Sequence, residues 1–335
     1  MNLVTSDQRC SLAFRKCQIF NGRCLLECVY FEGDRLLMNI MLELTNRCTL
    51  RCPTCFSHQD QRAKSTMSFD QFKHIIDQNH SQLNTISLYN YGEPFLNPDL
   101  ARMIRYAKEK GVPYIKVATN GMHLSEVKIR EIMKSRLDYL SISLDGATRE
   151  IYEKFRIRGQ FDRVVTSTRK LVKVRDALRS NLTIEVQFII MSHNEHEIRA
   201  IEDLARDLNV DILRLKTVLI KKDQWKYLLP ASAQHSRYSG TANCHRCFKP
   251  TKEVTINCDG SVIPCCYVVE EDVKRFTLGN IFRQTLQEIL TSPLYGDFVH
   301  QCTTDKSKLL SCANCNEGNQ SLDFKVICLR KTAAP

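Results

Sequence analysis

The chain has 335 residues, 48 Lys and Arg against 37 Asp and Glu, and 43% hydrophobic residues, for a net charge of +11. That composition excludes a fibrous or disordered chain and suits a soluble globular protein with one large core or two domains. No run reaches the roughly eighteen apolar residues that a membrane-spanning helix needs.

Sixteen cysteines are many. The opening residues "MNLVTSDQRCSLAFRK" lack the apolar stretch and small-residue cleavage site of a secretory signal, so a cytoplasmic location is expected. In that compartment so many thiols point to metal or redox sites rather than to disulfides. The positive charge is interleaved with acids, as in "KSRLDYLSISLDGATREIYEKFR" (134–156), which predicts a solvated basic surface.

Residues 1–37 read as an N-terminal extension. It holds Cys10, Cys17, Cys24 and Cys28 in no metal-binding spacing, and "RCLLECVYFEGDRLLMNI" suggests a small hairpin. From 38 to 220 the chain alternates. Short, apolar, β-branched stretches fall at 38–45, 85–90, 114–119, 139–144, 183–190 and 211–217. Between them lie amphipathic helical patterns, "MSFDQFKHIIDQ", "PDLARMIRYAKEKG", "LSEVKIREIMKSR", "QFDRVVTSTRKLVKVRDAL" and "NEHEIRAIEDLARDL". Six strands separated by helices predict an α/β fold with a parallel sheet, either open or curved into a partial barrel. Residues 221–243 are polar and irregular and read as a linker, and 244–335 form a Cys-rich tail.

Ligands of such a sheet bind beyond the C-terminal ends of its strands. The motifs fall there. "NRCTLRCPTCFSHQD" (46–60) follows the first strand and places Cys48, Cys52 and Cys55 as C-x-x-x-C-x-x-C. "YGEP" (91–94) follows the second strand, "TNG" (119–121) the third and "DG" (145–146) the fourth. Four polar, Gly-bearing loops on one rim predict a single site. Zinc and iron–sulfur clusters both take four ligands, so three thiolates leave one position open. The two readings are a cluster with an open iron, or a zinc completed by a distant residue such as His58.

The triad, the strand "MLELTNRC" that leads into it, and Phe56 after its last cysteine resemble the radical S-adenosylmethionine superfamily over about residues 38–220. That resemblance implies a partial (β/α)6 barrel. It implies a [4Fe–4S] cluster on Cys48, Cys52 and Cys55 whose fourth iron is chelated by S-adenosylmethionine. It also implies contacts to the cosubstrate from Phe56 beside adenine, from Gly92, Glu93 and Pro94 at the amino group, and from Thr119, Asn120, Ser143 and Asp145 at ribose and carboxylate. Arg156 and Arg158 in "FRIRGQ" are candidates for its carboxylate by bidentate pairing. The family's glycine-rich adenine motif after the fifth strand is not evident in "IIMSHNEHE". An external electron donor such as flavodoxin or ferredoxin is implied as partner.

The tail resembles the SPASM extension over about residues 244–316. The matching pieces are Cys247, "EVTIN", Asp259-Gly260, Cys265, "LGNIFRQTLQEIL" and Cys312-x-x-Cys315. The implied ligands of one auxiliary [4Fe–4S] cluster are Cys247, Cys265, Cys312 and Cys315, with Cys244 and Cys266 as alternatives. Only Cys328 follows the closing pair, which favours one auxiliary cluster over two. A zinc ribbon from Cys244-x-x-Cys247 and Cys312-x-x-Cys315 is the competing reading.

The expected function is reductive cleavage of S-adenosylmethionine and hydrogen abstraction from a substrate, in an oxidative modification of a small molecule or ribosomal peptide. The alternatives are a redox-neutral peptide epimerase, with Cys258, Cys266 or Cys328 as the returning thiol, a maturation factor for another enzyme, and a zinc-ribbon nucleic-acid-binding protein. Residues 1–37 are too short for a winged-helix domain that binds a peptide leader. The chain shows no aromatic-plus-basic platform of the kind an RNA-binding sheet carries.

Overall fold

The structure is a computed structural model that describes residues 31–32, 35–36, 38–58, 62–220, 222–239, 245–268, 273–313, 315 and 323–330. Residues 1–37 and 38–335 form two compact units. In the first, β1 (Phe31–Glu32) pairs antiparallel with β2 (Arg35–Leu36), within the segment read as a hairpin. Cys10, Cys17, Cys24, Cys28 and Cys244 lie outside the described residues.

The second unit begins with six strands and their helices: β3 (Met38–Leu42), α1 (Phe69–Asn79), β4 (Leu83–Ser87), α2 (Leu100–Glu109), β5 (Tyr114–Thr119), α3 (Glu126–Lys134), β6 (Tyr139–Ser143), α4 (Arg149–Phe155), α5 (Phe161–Ala177), β7 (Thr183–Ile190), α6 (Ile198–Asp207) and β8 (Ile212–Thr217). Neighbouring strands from β3 to β8 are parallel, as the alternation of patterns predicted. The caps are local chemistry. Ser68 closes a capping box with Gln71 at the start of α1, and Ser125 caps α3. Helix α4 is the one α-helix among the described residues of this region that the sequence reading missed. Its signal is Thr148, whose side chain accepts from the Ile151 amide.

Alternation along the strands sorts the two faces. Ile40, Leu42, Ile86, Ile115 and Val117 are fully buried, together with Phe72 and Ile75 of α1 and Met103 and Ile104 of α2. Burying each such side chain stabilises the fold by about 1.5–3 kcal/mol. The intervening positions form the helix-free face and are mostly polar, among them Ser87, Lys116, Tyr139, Ser141, Glu185 and Arg214. Glu185 is buried there and accepts from Ser141 Oγ at 2.7 Å, from Tyr139 Oη and from Arg214 Nε. A buried carboxylate so partnered is tolerated, because each oxygen has a donor.

The tail extends this sheet. β9 (Glu253–Ile256) lies parallel to β3, β10 (Ser261–Ile263) pairs antiparallel with β9, and β11 (Gly279–Asn280) with β10. α7 (Leu286–Leu290), α8 (Pro293–Asp305) and α9 (Leu310–Ala313) follow. Then β12 (Asp323–Cys328) pairs antiparallel with β8 at the other edge. The ten strands run in the order β11-β10-β9-β3-β4-β5-β6-β7-β8-β12. Because β12 runs backwards, Cys328 faces Ile212 at the start of β8, on the rim opposite the motif loops. Cys328, considered above as a returning thiol, thus stands away from that rim.

The segment read as a linker is packed, not extended. Residues Asp223–Leu228 make a 3-10 turn that buries Trp225 and Leu228. A buried indole stabilises this turn despite the polarity of its neighbours.

Candidate active site

The four rim loops meet. Gly92 makes the closest approach: a Cβ there would lie 2.0 Å from the Thr45 carbonyl oxygen, and its φ of +85° already favours glycine. This lets the Glu93 amide donate to Arg47 O at 2.8 Å and holds the YGEP loop on the triad loop. The Glu93 carboxylate is buried. It accepts from Thr119 Oγ1 at 2.7 Å, the Asn120 amide at 2.8 Å and the Phe95 amide at 3.1 Å. Burial pushes its pKa up, against the pull of these donors. With three of its roughly four acceptor sites filled from within the protein, the side chain braces the TNG loop. The carboxylate expected to face an ammonium group thus has its lone pairs largely committed elsewhere.

Three N–H donors are aimed at the triad sulfurs: the Leu50 amide at 3.4 Å and Asn120 Nδ2 at 3.7 Å from Cys48 Sγ, and Arg156 Nη1 at 3.8 Å from Cys52 Sγ. Burial raises the pKa of all three thiols, that of Cys55 to about 12, with Cys52 adding to the effect there. Three desolvated thiols on one loop, two of them with donors pointed at sulfur, fit a bound metal group. The metal replaces the protons, and the donors then meet thiolate.

Arg156 is placed by Asp145. Its Nε and Nη2 donate to Asp145 Oδ2 at 2.6 and 2.5 Å, and Oδ1 accepts from the Ile189 amide at 2.8 Å. Asp145 is fully buried. Expected to contact the cosubstrate, it braces Arg156 and the Ile189 amide here. Arg158 is exposed and has a left-handed backbone with φ 69°. Of the two arginines, only Arg156 meets a triad sulfur among the described contacts. Ser143 ends β6 opposite Gln187, half-buried on the helix-free face. Pro94 is buried at the start of a 3-10 turn.

Phe56 is buried and packs edge-on against Trp225, with ring centroids 5.6 Å apart, and against Tyr91 at 5.7 Å. The loop after the fifth strand, whose motif was unreadable, braces the DG loop. Asn194 Nδ2 donates to Asp145 O at 3.0 Å, and Glu197 accepts from the Ala147 amide and Thr148 Oγ1, each at 2.7 Å. His123 was also missed. Its Nε2 is hydrogen-bonded to Thr49 Oγ1 of the triad loop at 3.0 Å. The TNG motif two residues before it was the available signal.

A second sulfur centre lies in the tail. Cys247, Cys265, Cys302, Cys312 and Cys315 line one hollow, with Lys249 and Lys306 beside them. Cys302 was not among the predicted ligands; it is buried on α8, and its carbonyl accepts from the Cys247 amide at 2.7 Å. Lys306 is buried, and its ammonium donates to Cys315 O. A buried cation beside several thiols fits an anionic metal–thiolate group. Cys266 does not line the hollow; its side chain bonds to Cys265, whose pKa it pushes well up. Cys258 is buried, bonded to Ser65 Oγ at 3.0 Å, and its amide donates to Glu43.

A parallel α/β sheet with a three-thiol loop at its C-terminal rim, continued into a second cysteine-lined hollow, defines an iron–sulfur protein of the radical type. Residues 42–208 match the radical SAM superfamily and residues 247–316 match the SPASM iron-sulfur cluster-binding domain. The chain belongs to the radical SAM superfamily and carries a SPASM domain, and its cofactors are [4Fe–4S] clusters and S-adenosylmethionine. It is 24% identical over 320 residues to the tungsten-containing aldehyde ferredoxin oxidoreductase cofactor-modifying protein of Pyrococcus furiosus, covering 83% of this chain and 86% of that one. It is 28% identical over 170 residues to Fe-coproporphyrin III synthase of Methanosarcina barkeri, spanning 50% of this chain but only 41% of that protein. SuiB of Streptococcus suis bound to S-adenosylmethionine has a similar fold, with a TM-score of 0.66 at 14% identity, over 78% of this chain and 68% of SuiB. SuiB is also known bound to its precursor peptide SuiA. The zinc-ribbon reading gives way to the iron–sulfur match. Among the described residues no helix is long and apolar enough to cross a membrane.

Proposed function

We propose that this radical SAM enzyme carries out an oxidative modification of a small molecule or ribosomal peptide held at the helix-free face of its sheet. One observation carries the oxidative reading: the second hollow offers more than the four thiols that complete a cluster's ligation, so no iron there need stay open to substrate. When bound, the two [4Fe–4S] clusters and S-adenosylmethionine supply a 5′-deoxyadenosyl radical and a one-electron acceptor.

The chain's own residues hold and orient. Cys48, Cys52 and Cys55 hold the first cluster, and Cys247, Cys265, Cys312 and Cys315 the second. Asn120 and Arg156 aim their donors at Cys48 and Cys52. Glu93 and Asp145 hold those two donors in place. Phe56 offers a buried aromatic wall after the last triad cysteine. The peptide or cofactor-like substrate class is supported by SuiB, solved with a precursor peptide, and by the cofactor-modifying relative. An external donor of single electrons, flavodoxin or ferredoxin, is part of this reading.

The test has two stages. Changing Cys48, Cys52 and Cys55 together to Ala should abolish 5′-deoxyadenosine formation under reducing conditions while about four irons stay in the tail. With the true substrate, the product should be lighter by two hydrogens for each S-adenosylmethionine consumed. A product of unchanged composition that gains deuterium from D2O sinks the oxidative reading in favour of epimerisation.

A further inference from the structure

Tyr91 opens the YGEP loop and has no role in the assignments above. Its ring meets Phe56 edge-on, with planes 70° apart. Its hydroxyl donates to the Cys266 carbonyl at 3.0 Å. Phe56 directly follows Cys55, and Cys266 directly follows Cys265. One phenol therefore touches the neighbour of a triad cysteine and the neighbour of a tail cysteine. The backbone beside it is packed closely, since a Cβ at Gly92 would lie 2.0 Å from the Thr45 carbonyl oxygen.

We propose that Tyr91 is a positioning residue that couples the two sulfur centres, holding the Cys265–Cys266 turn of the tail in the geometry set by the triad loop. The proposal rests on Cys265 being a ligand of the tail cluster. Hydrogen bonds and charges around a cluster set its potential. The Tyr91 hydroxyl points the positive end of its dipole at the carbonyl of the residue that follows this ligand. Removing the hydroxyl lowers the tail potential, and a more acidic phenol raises it.

The experiment is a redox titration followed by EPR on anaerobically reconstituted full-length protein. It compares the wild type, Tyr91→Phe and a variant carrying 3-fluorotyrosine at position 91, with iron content and thermal unfolding as checks on assembly. The tail cluster should become harder to reduce in Tyr91→Phe and easier to reduce with fluorotyrosine, while the triad cluster keeps its potential. Tyr91→Phe retains the ring, so a residue that serves packing alone would leave both potentials where they were, and that result overturns the proposal. Equal shifts of both clusters overturn it too. A parallel Cys265→Ala protein separates the two layers. If it keeps the tail signal, the ligand assignment is at fault; if it loses the signal while Tyr91→Phe moves nothing, the coupling is.

Discussion

Asp145→Ala tests how Arg156 is held beside the triad. The wild-type carboxylate is fully buried and accepts from Arg156 Nε and Nη2 at 2.6 and 2.5 Å and from the Ile189 amide at 2.8 Å. Removing one partner of a buried pair leaves the other charge uncompensated, at a cost of about 3–5 kcal/mol. The Arg156 side chain retains 14% exposure, so some water reaches it and the lower half of that range is expected. For a large domain about 2 °C is lost per kcal/mol, so melting should fall by roughly 6–8 °C. Arg156→Met should cost a similar amount, because it strands Asp145 instead. The double variant strands neither charge and should melt well above the sum of the two losses, with a coupling of about 1–3 kcal/mol. Thermal unfolding of reconstituted protein, followed by circular dichroism without oxygen, reads all four proteins. Additive losses, or a drop of under about 2 °C for Asp145→Ala, would refute the bracing argument.

Two further predictions concern residues outside the predicted set. Burial, with Lys128 and Arg163, lowers the pKa of His123 from its usual 6.5, so the folded state binds its proton later than the unfolded chain. The stability it contributes is full above pH 6.5 and is lost as the pH falls through the lower folded value. The wild type should therefore lose more melting temperature than His123→Gln between about pH 7 and pH 5; parallel pH profiles would remove His123 as the cause. In the tail, Cys302→Ala should keep its iron, whereas Cys265→Ala should lose about four irons. Iron analysis showing equal losses would place Cys302 among the ligands.

The sequence by itself determined the parallel strands and the family to which the chain belongs. Period-two alternation and helical periodicity are local signals, so β3 to β8 were legible to within a few residues. Triad spacing is equally local, and the rule that ligands gather at strand C-termini then collected "YGEP", "TNG" and "DG" without any coordinates. What sequence could not decide was which polar group on that rim faces outward. Glu93 and Asp145 looked like ligand contacts, because a carboxylate in a loop is polar whatever it touches. Only the fold shows their oxygens consumed by Asn120 and Thr119 in one case and by Arg156 and Ile189 in the other. The tail behaved the same way. Cys302 entered the sulfur hollow and Cys328 left its neighbourhood through contacts between helix α8, strand β12 and partners far along the chain. Such long-range contacts are set by how the sheet is ordered, and no local pattern of residues records that order.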